Sequence, residues 1–189
     1  SSFALGVKRK YGAFHYLNWA ITNNLQIGYF EGVIWEATGQ RGFEINYLNP
    51  IIFYRPIEFS LGSPDNVLMG LNAIFKLFDF THLYGQFILD DLDIARSKKD
   101  KGFYRNKYGF QLGLKSYNLF NVNNLFFQVE YNQVQPYTYA HKIPIQNYAH
   151  YNQPLAHPLN ANFKEGVVFF NYRYKRFFGE LKFIYAQYG

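Results

Sequence analysis

The chain of 189 residues contains no cysteine. This absence removes disulfide bonds and cysteine-based zinc sites, and it fits a periplasm-facing protein that relies on strand pairing. No apolar run reaches the roughly 18 residues that a membrane-spanning helix requires. The chain starts at Ser1 with no Met and no signal peptide. It stops at Gly189 directly after an alternating strand, so we expect a piece of a longer protein.

Recognisable catalytic and metal-binding patterns are also missing. There is no glycine-rich phosphate loop, no Gly-x-Ser-x-Gly elbow and no Ser/His/Asp arrangement. His141, His150 and His157 follow one another at spacings that match no compact metal motif. The acidic cluster at 90–93 lacks the glycine and the spacing of a calcium loop. Carboxylate pairs would support glycoside hydrolysis only if folding brought them together at the right separation. We therefore predict a non-enzyme with no catalytic, cofactor-binding or metal site.

The net charge is +6, and the basic residues are dispersed apart from Lys98, Lys99, Lys101 and Arg105. That cluster stands in a turn-like stretch and is interpreted as a solvated loop. The alternative is a patch that contacts acidic glycans or lipopolysaccharide phosphates. Because no nucleic-acid-binding motif accompanies the charge, we expect no nucleic-acid partner.

Apolar and polar residues alternate in successive hairpins. From Leu125 to Asn132 every second residue is apolar, and Gln128, Glu130 and Asn132 occupy the other face. The preceding strand, from Tyr108 to Lys115, alternates in the same way. A period of two predicts β-strands, and the polar face must meet water. A strand with one water-facing and one apolar face is typical of a transmembrane β-barrel. A high content of aromatic residues, here 22% of the chain, is typical of such barrels as well.

We therefore predict an all-β fold, an antiparallel transmembrane β-barrel of the outer-membrane type with about eight or nine visible strands. Residues 1–189 form one barrel domain or a fragment of one. The strand count depends on 43–60, where Pro50 and Pro56 interrupt the pattern. A closed eight-stranded barrel and about half of a larger barrel both remain open.

Turns of two to seven residues alternate with longer connections near 37–66, 93–106 and 135–163. This asymmetry is typical of the periplasmic and extracellular ends of outer-membrane barrels. The turn at 22–24 is attributed to asparagines that tolerate left-handed backbone angles. Glu31 falls on the apolar face of its strand, where a bare carboxylate would be costly, so we expect a nearby bulge or a position at the water interface.

Polar residues of the alternating strands are candidates for a network inside the lumen. An Arg55–Glu58 pair could belong to it or be solvated. The candidates are Arg55, Glu58, Asn72, Lys76, Gln86, Asp90, Gln111, Lys115, Gln128, Glu130 and Asn132.

The segment 135–163 is a long inserted loop with four prolines and no strand pattern. A structureless connection of this length is uncommon unless it is functional. Its aromatic faces could stack on sugar rings while amides bind hydroxyl groups. The alternative is that the loop packs as a plug or lid. Candidates for saccharide or partner contact are Tyr137, Tyr139, Tyr148, Tyr151 and Asn152.

Five segments of the sequence together carry a resemblance to a known family. They are Tyr47–Arg55, Leu61–Asn66, Asn106–Gly109, Gln135–Tyr139 and His150–Pro158, the last being the most specific. Together they resemble the gliding-motility outer-membrane proteins of Bacteroidota, the RemB-like group, which is similar to the Wzi-like capsule-assembly barrels. The resemblance extends from about Phe14 to Phe170. Family members are much longer than this chain.

The resemblance implies a bacterial outer-membrane barrel with a role in gliding motility or cell-surface adhesion, beside the type 9 secretion machinery. Its expected partners are outer-membrane lipid and lipopolysaccharide, envelope motility or secretion proteins, and surface polysaccharide. It supplies no catalytic residues. Two alternatives stay open. The first is a Wzi-like surface lectin that anchors capsular or exopolysaccharide through an outward-facing, open loop. The second is a soluble lipocalin-like barrel or sandwich whose aromatic faces point inward.

Overall fold

The structure, a computed structural model, describes residues 9–37, 42, 44–48, 65–91, 107–151 and 153–189. Eight long strands and one pair of two-residue strands account for most of them. The strands are β1 (Lys10–Ala20), β2 (Leu25–Glu36), β3 (Asn66–Phe78), β4 (Thr81–Asp91), β5 (Lys107–Tyr117), β6 (Leu125–Val134), β7 (Ala149–His150), β8 (Gln153–Pro154), β9 (Phe163–Tyr174) and β10 (Phe177–Tyr188). Short 3₁₀ turns cover Ile45–Leu48, Leu119–Asn121 and Pro144–Gln146.

The eight long strands form one antiparallel sheet in the order β1-β2-β3-β4-β5-β6-β9-β10, and β7 pairs with β8 separately. The predicted all-β antiparallel architecture is confirmed. Within the described residues β1 and β10 do not pair, so the sheet is not closed, and the closed eight-stranded alternative is not observed. No helix among these residues combines the length and apolar character needed to cross a membrane.

Short turns and long connections segregate to opposite ends of the sheet. The turns at 21–24, 79–80, 118–124 and 175–176 lie at one end, and the connections 37–65, 92–106 and 135–162 lie at the other. This is the asymmetry that the sequence predicts. The last connection ends at Asn162, because Phe163 already pairs with Val134.

The turn after β1 forms where it is predicted, but for a different reason. Among the described residues, neither Asn23 nor Asn24 has a positive φ. Instead the Thr22 hydroxyl accepts hydrogen bonds from the backbone N–H groups of Asn24 at 3.2 Å and Leu25 at 3.0 Å. A local side-chain acceptor therefore makes this turn.

Continuous pairing gives the sheet two faces, because paired residues of antiparallel strands point the same way. We call one the apolar face; its side chains are mostly exposed. It includes Leu17, Trp19, Leu71, Phe75, Leu83, Phe87, Leu112, Val129, Tyr131, Leu181, Phe183 and Tyr185. We call the opposite side the polar face; its centre carries Asn72, Gln86, Gln111, Gln128, Glu130 and Asn132.

Glu31 corrects one expectation. The pairing of β2 with β1 and with β3 runs through it without a register shift, so the predicted bulge is wrong. Nor does the carboxylate meet water, since Glu31 is only 1% exposed. It accepts a hydrogen bond of 3.0 Å from the Tyr29 hydroxyl, and His15 Nδ1 lies 3.8 Å away. Neighbouring polar side chains therefore make burial tolerable on the apolar face.

Each face carries a buried cluster near the long connections. On the apolar face Trp35 packs against Tyr47, whose hydroxyl donates to Asp65 Oδ2 at 2.6 Å. On the polar face Tyr139 of the 135–162 connection packs among Leu68 and Phe163 and their neighbours Ile88 and Val134. The connection therefore lies on the polar face, and the apolar face of the central strands stays uncovered.

Glycines on the polar face make room for aromatic rings of neighbouring strands. A Cβ at Gly113 would overlap the ring of Tyr84, and one at Gly70 would overlap Phe30. The rings cover backbone that a glycine leaves bare, a recognised device for stabilising glycines in sheets.

We predict opposite effects of alanine at two glycines. Gly113→Ala should lower stability by about 1–3 kcal/mol, because the new methyl group displaces the Tyr84 ring. Gly166→Ala should be neutral or stabilising, since its Cβ would meet no described atom within 4 Å and a strand glycine is entropically costly. Urea unfolding of the two variants and the unsubstituted protein measures both effects. Equal effects of the two substitutions would contradict the close packing of Tyr84.

Candidate binding site on the polar face

Two carboxylates at the centre of the polar face are held by one side-chain network. Tyr84 donates a hydrogen bond of 2.6 Å to Glu130 Oε2, and Gln128 Nε2 donates to the Tyr84 hydroxyl at 2.7 Å. The Asn132 amide nitrogen donates to Glu130 Oε1 at 2.8 Å and to Glu165 Oε2 at 3.1 Å. The folding thus brings together Glu130 and Glu165, which lie 35 positions apart.

The network continues into the 135–162 connection through one histidine. His157 Nε2 lies 3.1 Å from Glu165 Oε2, and its Nδ1 accepts a hydrogen bond from the Leu159 N–H at 3.2 Å. The imidazole also stacks on Phe163 with ring centroids 4.4 Å apart. His157 therefore joins the connection to the first residues of β9.

Side chains at the ends of several strands hold the connection down. Asn66 donates to the Gln146 carbonyl at 2.8 Å, Asp90 accepts from the Tyr139 N–H at 2.9 Å, and Lys107 donates to the Ala140 carbonyl at 2.5 Å. Lys10 donates to the carbonyls of Asn147 and Ala149. Anchors on β1, β3, β4 and β5 make the segment a folded plug over the polar face, and we call it the plug.

An uninterrupted row of amides crosses the polar face. Asn72, Gln86, Gln111 and Asn132 are direct register partners on β3, β4, β5 and β6. Neighbouring strands lie about 4.8 Å apart, so the amides repeat at that interval. We call these four residues the amide row. The Asn72 side chain exchanges hydrogen bonds with the Tyr16 hydroxyl, whereas the side-chain amide of Gln86 has no hydrogen-bond partner among the described residues.

Two cavities on the polar face are both lined by the two central residues of the amide row. One, of about 310 Å³, lies between the row and the plug, with Tyr139, Tyr148 and Leu155 in its walls. The other, of about 330 Å³, extends toward the short turns. Gln86 and Gln111 line both.

Every described lumen candidate lies on the polar face, but the candidates do not form one cluster. Lys76 and Asp90 stand at opposite ends of the sheet: Lys76 pairs with Asp79 at 3.2 Å, and Lys107 Nζ lies 3.8 Å from Asp90 Oδ2. Lys115 lies over the Tyr84 ring, 5.6 Å from its centroid. The predicted pair Arg55 and Glu58 lies outside the described residues.

The loop tyrosines divide into two groups. Tyr139 and Tyr148 stack with centroids 5.9 Å apart on the side of the plug that faces the sheet, and burial raises the pKa of both phenols. Tyr137 and Tyr151 are 62% and 88% exposed. Left-handed φ angles occur in both groups: 62° at Tyr137, 48° at Tyr151 and 73° at the buried Tyr139. Asn152 lies outside the described residues.

Sequence reasoning missed Tyr84, Glu165 and His157 as members of the network. Tyr84 and Glu165 stand at polar-face positions of their strands, so extending the alternation would have found them. His157 has no such signal, because its partner is eight residues away across an irregular turn. Among the described residues no group of three or more His, Asp or Glu side chains has metal-binding geometry.

Comparisons of the chain with protein-family models, with curated proteins and with solved structures find no match. The class of protein that the fold defines is therefore an all-β protein built on an eight-stranded antiparallel sheet.

We predict that acid loosens the plug through His141. Burial, with the nearby charge of Lys107, lowers the pKa of this imidazole. As the pH falls below about 6.5, His141 is protonated in the unfolded segment before it is protonated in the folded plug. The stability of the plug therefore declines until the pH passes the lower pKa that His141 has in the folded protein. Papain cleavage of the plug should accelerate from about pH 7 to about pH 5.

The matched variants are His141→Gln and His150→Gln. Glutamine at 141 cannot titrate but offers an acceptor to the Ile143 N–H that His141 Nδ1 now binds, so part of the acid sensitivity should disappear. The exposed His150 should be replaceable without effect. An unchanged pH profile in His141→Gln would contradict the assignment.

Proposed function

We propose that this chain forms the membrane-spanning wall of an outer-membrane β-barrel protein. The observation that carries the proposal is the uncovered apolar face, on which Leu17, Leu71 and Leu112 are each more than half exposed. On β4 that face runs from Leu83 to Leu89, roughly 20 Å at about 3.4 Å per residue. Outer-membrane barrels present an apolar band about 25 Å tall to lipid.

The position of the plug argues against the soluble alternative. A lipocalin-like barrel or a sandwich would bury its aromatic faces and leave glutamine, glutamate and lysine in water. Here the plug covers the polar face, and large apolar side chains remain uncovered. Exposed apolar patches of this kind mark interaction with a membrane or a partner.

We further propose that the protein acts without catalysis in gliding motility or cell-surface adhesion, beside the type 9 secretion machinery. The resemblance to the RemB-like group supports this role. The anchored plug supports it as well, because a filled lumen suits a surface or assembly component better than an open pore.

We predict that one charge on the apolar face distinguishes lipid from water. Leu112→Arg should cost about 2–4 kcal/mol if the face contacts the bilayer, but less than about 0.5 kcal/mol if it contacts water. Urea unfolding of the full-length protein in lipid vesicles measures the difference. Val122→Arg, in the turn at 118–124, is the matched control and should be neutral.

The same protein should fractionate with the outer membrane and migrate differently on a gel with and without boiling. Recovery as a soluble protein with no heat-dependent shift would overturn the membrane proposal. If the protein shows the heat-dependent shift but deletion of its gene leaves gliding and adhesion intact, only the motility role would be overturned.

A second candidate function is surface-polysaccharide binding, and the exposed tyrosines favour it. A left-handed backbone costs a residue such as tyrosine about 1–2 kcal/mol, and strain of this kind tends to persist at functional sites. Tyr137 is 62% exposed and Tyr151 is 88% exposed, so most of the surface of each side chain is accessible to a sugar.

We predict that Tyr137→Ala and Tyr151→Ala each weaken binding of the cell's own surface polysaccharide by about tenfold, which is about 1.4 kcal/mol. Retention on immobilised full-length protein measures this. Tyr174→Ala removes a ring that is 56% exposed at the opposite end of the sheet and serves as the control. Equal retention by all variants would eliminate this candidate.

A further inference from the structure

We infer that the amide row and the cavity beneath the plug form a binding site for a neutral saccharide. This site is separate from the exposed Tyr137 and Tyr151 and does not require them. It also does not depend on the motility role.

Size and position support a small-molecule site. The cavity of about 310 Å³ lies between the sheet and the anchored plug, and it shares the lining residues Gln86 and Gln111 with a second cavity. Ligand pockets typically occupy about 300–1,000 Å³. The two cavities therefore lie next to each other along the amide row, and we call the one under the plug the deeper cavity.

The polar side of the site suits hydroxyl groups. An amide both donates and accepts, as a hydroxyl does. Gln86 has both capacities unused within the described chain, and Asn132 has committed only its nitrogen, to Glu130 and Glu165. An apolar ligand would leave these groups without hydrogen bonds, at a cost of about 1–3 kcal/mol for each.

The opposite wall suits the carbon face of a sugar ring. It is formed by Tyr139, Tyr148 and Leu155 of the plug, and Phe30 of β2 and Phe163 of β9 add apolar surface from the sheet. Aromatic rings provide flat apolar surface, and the tyrosines add hydroxyl groups at its edge. A saccharide presents both an apolar face and a ring of hydroxyl groups, so it matches both walls at once.

The charges of the site favour a neutral ligand. None of the described residues lining the deeper cavity is Asp, Glu, Lys or Arg. Its one titratable heterocycle, His157, is engaged with Glu165. An acidic sugar in the deeper cavity would be placed near Glu130 and Glu165 with no lysine or arginine among the described residues of that cavity's wall, since Lys115 lines only the second cavity. Like charges at short range repel one another.

The test is saturation-transfer NMR on the full-length protein in a detergent without a sugar headgroup. The probes are maltotriose, cellobiose and N,N′-diacetylchitobiose, with glucuronic acid as the charged comparison. We expect transfer to at least one neutral sugar and none to glucuronic acid. Absence of transfer to all three neutral sugars, or equal transfer to glucuronic acid, would overturn the proposal.

Three variants locate the site. Gln86→Leu keeps the side-chain size but removes the amide, and it should weaken binding by roughly tenfold. Ala156→Trp fills the cavity from the exposed side of the plug and should abolish binding. Gln153→Leu, an exposed residue that lines neither cavity, should bind normally.

A heat-dependent gel shift for each variant shows that it has folded. If Gln86→Leu does not fold, Ala156→Trp decides the question alone. Binding unchanged in a folded Ala156→Trp variant would falsify the cavity site. Loss of binding in Tyr137→Ala or Tyr151→Ala but not in Ala156→Trp would assign the sugar to the exterior of the loop instead.

Discussion

Continuous cross-strand register keeps the two faces of this sheet distinct, and the other features follow from it. Side chains alternate with a period of two, so a slip of one residue in any strand would exchange its faces. The amide row exists only because β3, β4, β5 and β6 remain aligned. The register shifts that do occur, between Lys76 and Phe78 and between Leu89 and Asp91, lie at strand ends where they leave the centre intact.

The carboxylates of the polar face explain why the plug covers it. Glu165 is buried and Glu130 is half-buried. Each carboxylate needs several donors once water is excluded, because an unpaired buried charge is strongly destabilising. Glu130 finds them on its own sheet, from Tyr84 and Asn132, whereas Glu165 takes one contact from His157 of the plug. The backbone groups of the plug are matched in turn by Lys107 and other strand-end side chains. Sheet and plug thus provide hydrogen-bond partners for each other's polar groups.

Much of the sheet was predictable because its cause is local. The alternation in 125–132 and 108–115 identified the strands and their faces, and hairpin pairing between neighbours needs no long-range information. The physical causes predicted for individual features were less often correct. The turn at Thr22 depends on a hydroxyl acceptor rather than on asparagine backbone angles, and Glu31 is buried by Tyr29 rather than displaced by a bulge.

The sequence by itself determined the hairpin strands, their two faces and the alternation of short turns with long connections, since a period of two and turn chemistry act within a few residues. Only the tertiary structure decided that the plug lies on the polar face, that Glu130 and Glu165 share Asn132, and that Tyr139 is buried while Tyr151 is exposed. Those outcomes depend on contacts between residues far apart in the chain. No local pattern specifies which distant donors a buried carboxylate will meet.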